Sequence, residues 1–284
     1  MLQWFQSMQR CTRFAVLTII LCAGADAKAQ ATYAPIDGKT LSVGADLTYQ
    51  PYEYYVGSTP AGVDPDFMDK LSSHMGLTSR FVDTRFVNLI LGLNAGRYDI
   101  VASGLYVTPE RAKQVDFVPY VKTGGSLLAL RDSGYSPKVP ADLCGKRVGS
   151  VKGGSWIPKL IDVSNKVCLT SGRGAIDVHE FDTSPAAAQA LLSRAVDAQF
   201  EDSAVAKMFV QTLGGRVAIT SDTQIYPVVI GLAIKKGNDA LMQRVQTAFA
   251  AMRRTGEYQE ILKKYNLAEP GPDDLKRALE ASSN

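Results

Sequence analysis

Residues 99–120 have the sequence DIVASGLYVTPERAKQVDFVPY, and this stretch decides the fold class. Its first residues, 99–102, are mostly apolar and β-prone, and they lead into the small polar pair Ser103-Gly104. Thr108-Pro109 then predicts a turn, and Arg111 follows on its far side. An arginine in this position can hold a carboxylate through two parallel hydrogen bonds. The stretch therefore predicts a strand that ends in a polar loop, which is where α/β sheets bind ligands.

Outward from this stretch, short apolar strands alternate with amphipathic helices along most of the chain. The sequence Asp64-Pro65-Asp66 predicts a helix start with Asp64 as the N-cap, and Gly76 predicts the helix end. Strand–helix alternation of this kind indicates parallel α/β sheets. The pattern occurs as two sets joined by an extended segment near 121–131, which predicts two lobes with a ligand cleft between them.

The composition is that of an ordinary globular protein, and it excludes several classes of function. Of 284 residues, 46% are hydrophobic and 21% are charged. The net charge is +3, of which the first 29 residues contribute +2 through three basic side chains and one acidic side chain. A nearly neutral chain has no basic stripe for nucleic acid, so no nucleic-acid partner is expected. Because the chain has two histidines, a histidine-rich metal site is almost excluded, and no metal or cofactor is expected.

Residues 1–29 have the pattern of a secretory signal peptide. Arg10 and Arg13 precede the apolar run FAVLTIILCA, and small residues with A-x-A sites follow it. The run is too short to span a bilayer, which needs roughly 20 residues. An N-terminal amphipathic anchor is the alternative. We expect export, with cleavage after Ala27 or Ala29.

Cleavage would leave Cys144 and Cys168 as the two cysteines of the mature chain. In an oxidising compartment such a pair predicts a disulfide, and a free buried pair is the alternative.

Signals for catalysis are weak in this sequence. His74 and His179 are the two histidines that a Ser-His-Asp triad could use, and both lie where surface or structural roles are expected. No G-x-S-x-G, Walker A or G-x-G-x-x-G segment occurs. Residues 153–155 (Gly-Gly-Ser) lie between a predicted strand and helix, where backbone N–H groups can face an anion. We therefore expect a binding protein and not an enzyme.

Residues 99–120 resemble the signature of the type II periplasmic solute-binding proteins for polar amino acids, which are the receptors of ABC importers. Four more segments resemble landmarks of that family in the same order: residues 44–53 (GADLTYQPYE), 62–71 (GVDPDFMDKL), 143–155 (LCGKRVGSVKGGS) and 196–202 (VDAQFED). The resemblance spans roughly 40–266. It implies a periplasmic, two-lobed α/β fold with two crossover strands, in which residues 30–122 and 230–284 form lobe 1 and residues 123–229 form lobe 2.

The resemblance also implies where each part of an amino acid would bind. Arg111 corresponds to the family's carboxylate-binding arginine, and Asp202 corresponds to its ammonium-binding acid. A zwitterion needs one fixed cation and one fixed anion, so the two assignments agree with the chemistry. The resemblance also implies that Tyr106, Gly153 and Ser155 contact the carboxylate, and that Ser103 and Gly104 contact the ammonium group. Tyr49 and Phe86 would cover the two apolar faces of the ligand. Asp46 would contact the end of its side chain.

Two features depart from the family pattern. Tyr106 stands where relatives usually have Ser or Thr, so its ring would shrink or reshape the pocket. Residues 268–284 extend past the usual end of the family, and 273–281 predict an extra surface helix.

Together these features predict a monomeric receptor that closes on a polar amino acid by hinge motion and delivers it to the permease of an ABC transporter. Two alternatives stay open. One is a periplasmic enzyme of the cyclohexadienyl dehydratase kind on the same fold, which would turn over prephenate or arogenate. The other is a ligand-sensing partner of a membrane sensor kinase.

Overall fold

The structure is a computed structural model that describes residues 38–280, and the predicted signal peptide lies outside these residues. Within the described range the chain forms twelve strands: β1 (Thr40–Ala45), β2 (Thr48–Tyr49), β3 (Glu53–Val56), β4 (Thr59–Ala61), β5 (Thr78–Asp83), β6 (Ile100–Val101), β7 (Val115–Leu130), β8 (Arg147–Val151), β9 (Asp177–Phe181), β10 (Ala198–Asp202), β11 (Val217–Ile219) and β12 (Ile225–Lys235). The α-helices of the same range are α1 (Val63–His74), α2 (Leu89–Asn94), α3 (Pro109–Ala112), α4 (Ile157–Val163), α5 (Ser184–Leu192), α6 (Ser203–Thr212), α7 (Asp239–Thr255), α8 (Glu257–Tyr265) and α9 (Pro272–Glu280). No helix of this part of the chain is both long enough and apolar enough to cross a membrane.

One nine-stranded sheet organises the described residues. Its order is β5-β1-β6-β12-β7-β10-β8-β9, and β11 also pairs with β7. Strand β1 is parallel to β5 and β6, and β8 is parallel to β9 and β10. The two parallel groups confirm the predicted α/β class. They are joined by the long antiparallel strands β7 and β12, whose full length the sequence did not predict.

Strands β7 and β12 run from one parallel group to the other. Residues 115–123 of β7 pair with residues 228–235 of β12, whereas residues 125–130 pair mainly with β10 and β11. Both expected lobe boundaries fall inside these two strands. The division into 30–122 plus 230–284 and 123–229 itself stays a prediction.

Aromatic packing fixes helices α1, α7 and α8 against β7. The ring of Phe67 in α1 lies 4.9 Å from that of Tyr120 in β7, 5.1 Å from Phe249 and 6.1 Å from Tyr258. These four side chains are almost completely buried. Aromatic pairs in this geometry each contribute about 0.5–1.5 kcal/mol beyond the burial of their area, so they give the sheet a rigid support.

The start of α1 differs from the prediction. The helix begins at Val63, and Gly62 at the N-cap supplies no side-chain cap. Asp64 therefore lies inside the helix, where its carboxylate accepts hydrogen bonds from the backbone N–H of Gly104 and the hydroxyl of Tyr120. The acid that was expected to cap the helix instead ties α1 to the loop after β6.

Cys144 and Cys168 form the predicted disulfide, with Cα atoms 5.2 Å apart. The bond connects the segment before β8 to the helical turn that continues α4.

The expected C-terminal helix is also present, as α9. Its residues Leu275 and Ala278 pack with Val107 and Val229 in one apolar cluster. The ammonium of Lys122 in β7 lies 3.0 Å from the carboxylate of Asp274 in α9. Helix α9 is therefore attached to both long strands.

Candidate ligand-binding site

The guanidinium of Arg111 is the centre of the candidate site. The hydroxyl of Thr108 caps α3 and accepts from the backbone N–H of Arg111, which fixes the base of the side chain. Arg111 Nη1 donates to the carbonyl of Tyr106 at 2.8 Å, and Nη2 donates to the carbonyl of Gly153 at 3.1 Å. The Arg111 Cζ lies 5.4 Å from the centre of the Phe86 ring. These contacts join the loop after β6 to the turn after β8.

Arg111 keeps donors for a ligand. A guanidinium has five N–H donors, and the two carbonyl contacts use one donor on each of two nitrogens. Among the described residues, no carboxylate makes a salt bridge with Arg111. Burial lowers the pKa of Arg111 to about 10, so the side chain remains charged at neutral pH. Within the described residues, Arg111 is thus a half-buried cation without a salt-bridge partner.

Asp202, at the end of β10, is fully buried, and its carboxylate is already occupied. As the N-cap of α6, Asp202 accepts from two backbone N–H groups of that helix at 2.8 and 3.4 Å. It also accepts from the hydroxyls of Tyr52 at 3.1 Å, Tyr106 at 2.6 Å and Thr123 at 2.8 Å. Burial raises the pKa of Asp202, and the hydroxyls of Tyr106 and Thr123 oppose that rise. Five donors saturate a carboxylate, which offers about four lone-pair sites.

Glu201 is a buried acid that the sequence analysis did not single out. Its Oε1 accepts from the hydroxyl of Tyr49 at 2.9 Å, and its Oε2 accepts from the amide of Gln199 at 2.9 Å and from the hydroxyl of Ser184. Burial raises the pKa of Glu201 to about 7. The available signal was its place directly before Asp202 in the segment that resembles the family.

A narrow cavity lies beside Arg111 and has a volume of about 10 Å³. This is room for about one water molecule. Six of the predicted site residues line it, together with Val151, Gly154 and Trp156: Tyr49, Phe86, Gly104, Tyr106, Arg111 and Ser155.

A much larger cleft, of about 1060 Å³, shares Tyr106 and Arg111 with the narrow cavity. Gly153 and Ser155 also line this cleft. A row of aromatic rings forms part of its wall, with centroid distances of 5.5 Å from Tyr106 to Trp156, 5.4 Å from Trp156 to Phe200 and 6.0 Å from Phe200 to Tyr226. We call these four residues the aromatic row.

Tyr226 enters the aromatic row from a bulge in β12. The pairing register of β12 shifts between Ile225 and Val228, and the φ angle of Tyr226 is 50°. A left-handed backbone is unusual for an aromatic residue and is typical of functional segments. Lys159 adds a cation to this end of the cleft, with its Nζ 5.1 Å from the centre of the Tyr226 ring. Helix α9 contributes Asp274, Arg277 and Ala278 to the lining.

Three of the predicted site residues, Asp46, Ser103 and Asp202, line neither cavity. The first two have the following partners. The buried carboxylate of Asp46 accepts from the backbone N–H of Phe86 at 2.9 Å and pairs with Arg85 at 2.9 Å. The hydroxyl of Ser103 donates to Glu53 at 2.6 Å. Both side chains support the binding loops in this conformation, and their predicted ligand contacts stay predictions.

Comparison with known proteins identifies the family of this chain. Residues 41–268 match the model of the bacterial extracellular solute-binding proteins, family 3. The chain belongs to this family. Its fold is accordingly the two-lobed type II fold, as the sequence resemblance predicted, and family members act as periplasmic solute receptors of ABC transporters.

Individual relatives agree with this assignment. The ABC transporter arginine-binding protein 1 of Escherichia coli (strain K12) is 30% identical over 235 residues, which are 81% of this chain and 92% of the relative. The solved structure of an ancestral arginine-binding protein bound to arginine has a TM-score of 0.72 and 31% identity, and the match covers 80% of this chain and 97% of that one. The ancestral amino acid-binding protein AncCDT-1, a precursor of cyclohexadienyl dehydratase, has a TM-score of 0.67 and 27% identity, with 81% and 96% covered.

Proposed function

We propose that this chain is the periplasmic receptor of an ABC transporter, and that it binds an amino acid or an amino acid derivative and delivers it to the membrane permease. The family match over residues 41–268 supports the receptor role, and the names of the relatives support the amino acid class. Export by the signal peptide 1–29 and a monomeric state are parts of the same proposal.

The observation that carries the proposal is Arg111. A half-buried guanidinium that is charged, has spare donors and makes no salt bridge among the described residues is suited to bind a carboxylate. Arg111 bonds to the carbonyl of Gly153, which belongs to the expected lobe 2, so a ligand on Arg111 would contact both expected lobes. Binding would then favour closure of residues 30–122 plus 230–284 on residues 123–229.

Binding without catalysis is the function we infer. Glu201, with a pKa raised to about 7, is a carboxyl that could move a proton near neutral pH. It does not line either cavity, because its oxygens accept from Tyr49, Gln199 and Ser184. We expect no turnover of prephenate or arogenate by the purified mature chain.

Calorimetry on the mature chain tests the role of Arg111. We expect Arg111→Ala to lose about 2–5 kcal/mol of binding free energy, which is roughly 30-fold or more in affinity. Arg111→Lys retains the charge but not the fork of donors, so it should restore only part of this loss. Arg131→Ala is the matched control, since Arg131 is exposed and lines neither cavity. Affinity of folded Arg111→Ala within twofold of the wild type would refute the proposal.

A further inference from the structure

We propose that the ligand is a carboxylate whose nitrogen is not a free ammonium, of the N-acylated amino acid class, and that its acyl group lies along the aromatic row while its carboxylate binds Arg111. This inference rests on the receptor function proposed above and names the ligand class for the same site.

The first observation concerns the acid that would bind an ammonium group. Asp202 accepts from three side-chain hydroxyls and two backbone N–H groups, so an arriving ammonium would have to displace some of them. The hydroxyls of Tyr52 and Tyr106 are buried, and Asp202 is the acceptor of both. Displacement would leave the Tyr106 hydroxyl with only the long bond of 3.4 Å to the carbonyl of Gly124, and would remove the acceptor of Tyr52. Unpaired buried hydroxyls are unfavourable, so the tyrosines compete directly with the ammonium.

The second observation concerns space. The ring of Tyr106 packs edge-on against Trp156, with centroids 5.5 Å apart, and both rings line the narrow cavity. The remaining volume of about 10 Å³ is far smaller than any amino acid. In this conformation no zwitterion fits in the narrow cavity beside Arg111.

The third observation is the volume of the large cleft, which Arg111 also lines. The large cleft reaches Arg111 directly, and its volume of about 1060 Å³ is in the range of small-molecule sites. Trp156 and Tyr226 are aromatic residues of its lining, and aromatic rings suit contact with a planar acyl amide. A ligand can therefore hold its carboxylate at Arg111 and extend along the aromatic row.

The fourth observation is the charge of the cleft. The four acids that line it have partners of their own. Asp274 pairs with Lys122 and Arg277, and Asp162 pairs with Lys166. Glu180 accepts from the backbone N–H of Gly153, and Glu110 has an interaction partner as well. Arg111 and Lys159, in contrast, make no salt bridge with any carboxylate among the described residues. The cleft is therefore better suited to an anionic ligand than to an ammonium.

Matched ligand pairs test the inference on the mature chain. We would screen the twenty L-amino acids and their N-acetyl forms by thermal shift, and then measure the best pair by calorimetry. We expect the N-acetyl member to bind at least tenfold more tightly than its free partner. Tighter or equal binding of the free amino acid overturns the inference and leaves the receptor function standing. Binding by neither set overturns the receptor function as well.

Variants of Tyr106 provide the second test. Tyr106→Ser removes the ring and the hydroxyl from Asp202, so we expect it to bind the free amino acid of the best pair at least tenfold more tightly than the wild type does. Tyr55→Ser is the control, because Tyr55 is exposed and lines neither cavity. If Tyr106→Ser does not fold, the double variant Tyr52→Phe with Tyr106→Phe removes the hydroxyls and keeps the rings, and a smaller gain in the same direction is expected. A folded variant with an unchanged preference overturns the inference.

Discussion

The backbone carbonyl of Tyr106 accepts from Arg111, its hydroxyl donates to Asp202, and its ring lines both cavities. The first contact needs only a backbone, and any residue would provide it. The other two need a long aromatic side chain with a polar tip, which a serine or threonine could not supply. Tyr106 thus provides a backbone contact for Arg111 and, through its side chain, changes the surroundings of the buried acid.

Glu201 predicts an unusual dependence of stability on pH. Burial raises its pKa from an ordinary value of 4.5 to about 7. Between these values the folded state keeps a proton that the unfolded state has lost, so the contribution of Glu201 is fully present below pH 4.5 and is lost as the pH rises through about 7. We expect the free energy of unfolding to fall by about 1–3 kcal/mol between pH 5 and pH 8 on account of this group.

Calorimetric melting at a series of pH values checks this expectation. In the neutral variant Glu201→Gln, the free energy of unfolding should fall less between pH 5 and pH 8 than in the wild type. Glu180→Gln, which changes an exposed acid, should not reduce this fall. Burial also raises the pKa values of Asp202, Asp64 and Glu53, so part of the decline should remain in Glu201→Gln. A stability that increases from pH 5 to pH 8 would contradict the assignment.

Among the elements, the disulfide between Cys144 and Cys168 has a contribution to stability that can be tested. It closes a segment of 24 residues that contains β8, α4 and the turn between them. For a loop of this length, the chain-entropy estimate is a loss of about 3 kcal/mol in the free energy of unfolding when the bond is removed. Chemical denaturation of the double variant Cys144→Ser with Cys168→Ser checks this value. A change below about 0.5 kcal/mol would show that the bond adds no constraint to the unfolded chain.

The elements also show how far the sequence predicts the structure. The sequence pattern predicts an extended segment near 121–131, but β7 extends back to Val115. Its first part contains Pro119, Lys122 and a Gly-Gly pair, which have low strand propensity, and its conformation depends on pairing with β12. The start of α1 was misplaced for a related reason, since the carboxylate of Asp64 is used by distant partners, Gly104 and Tyr120.

The candidate site, too, could be predicted only in part from the sequence. The family signature predicts the loop of Arg111, because its turn, cap and arginine lie within a few residues of one another. The contacts of Asp202 join residues up to 150 positions apart, and no local pattern reports them. Tyr52 and Trp156 lie inside or next to the matched segments, yet their roles depend on the side chain at Tyr106.

At the scale of the whole molecule, tyrosine–carboxylate bonds connect the two expected lobes. Tyr49 donates to Glu201 and Tyr52 donates to Asp202, from the segment after β1 to the end of β10. We expect the two expected lobes to separate more readily in the double variant Tyr49→Phe with Tyr52→Phe. The reason is that two hydrogen bonds between them, of roughly 1 kcal/mol each, are lost. Small-angle X-ray scattering without ligand should then give a larger radius of gyration, and saturating ligand should reduce it.

Tyr55→Phe is the control for this measurement, since the exposed Tyr55 ring lines neither cavity. Identical scattering curves for the wild type and the double variant would show that these bonds do not hold the lobes together.

The aromatic row also gives the molecule an optical property. The chain has two tryptophans, Trp4 and Trp156, and removal of the predicted signal peptide leaves only Trp156. Its indole N–H donates to the hydroxyl of Ser150, and its ring lies between those of Tyr106 and Phe200 at the wall of the cleft. Emission of the mature protein excited at the tryptophan band therefore comes from one fluorophore at the candidate site. Occupancy of the cleft can be followed by the intensity and wavelength of that emission, without any label.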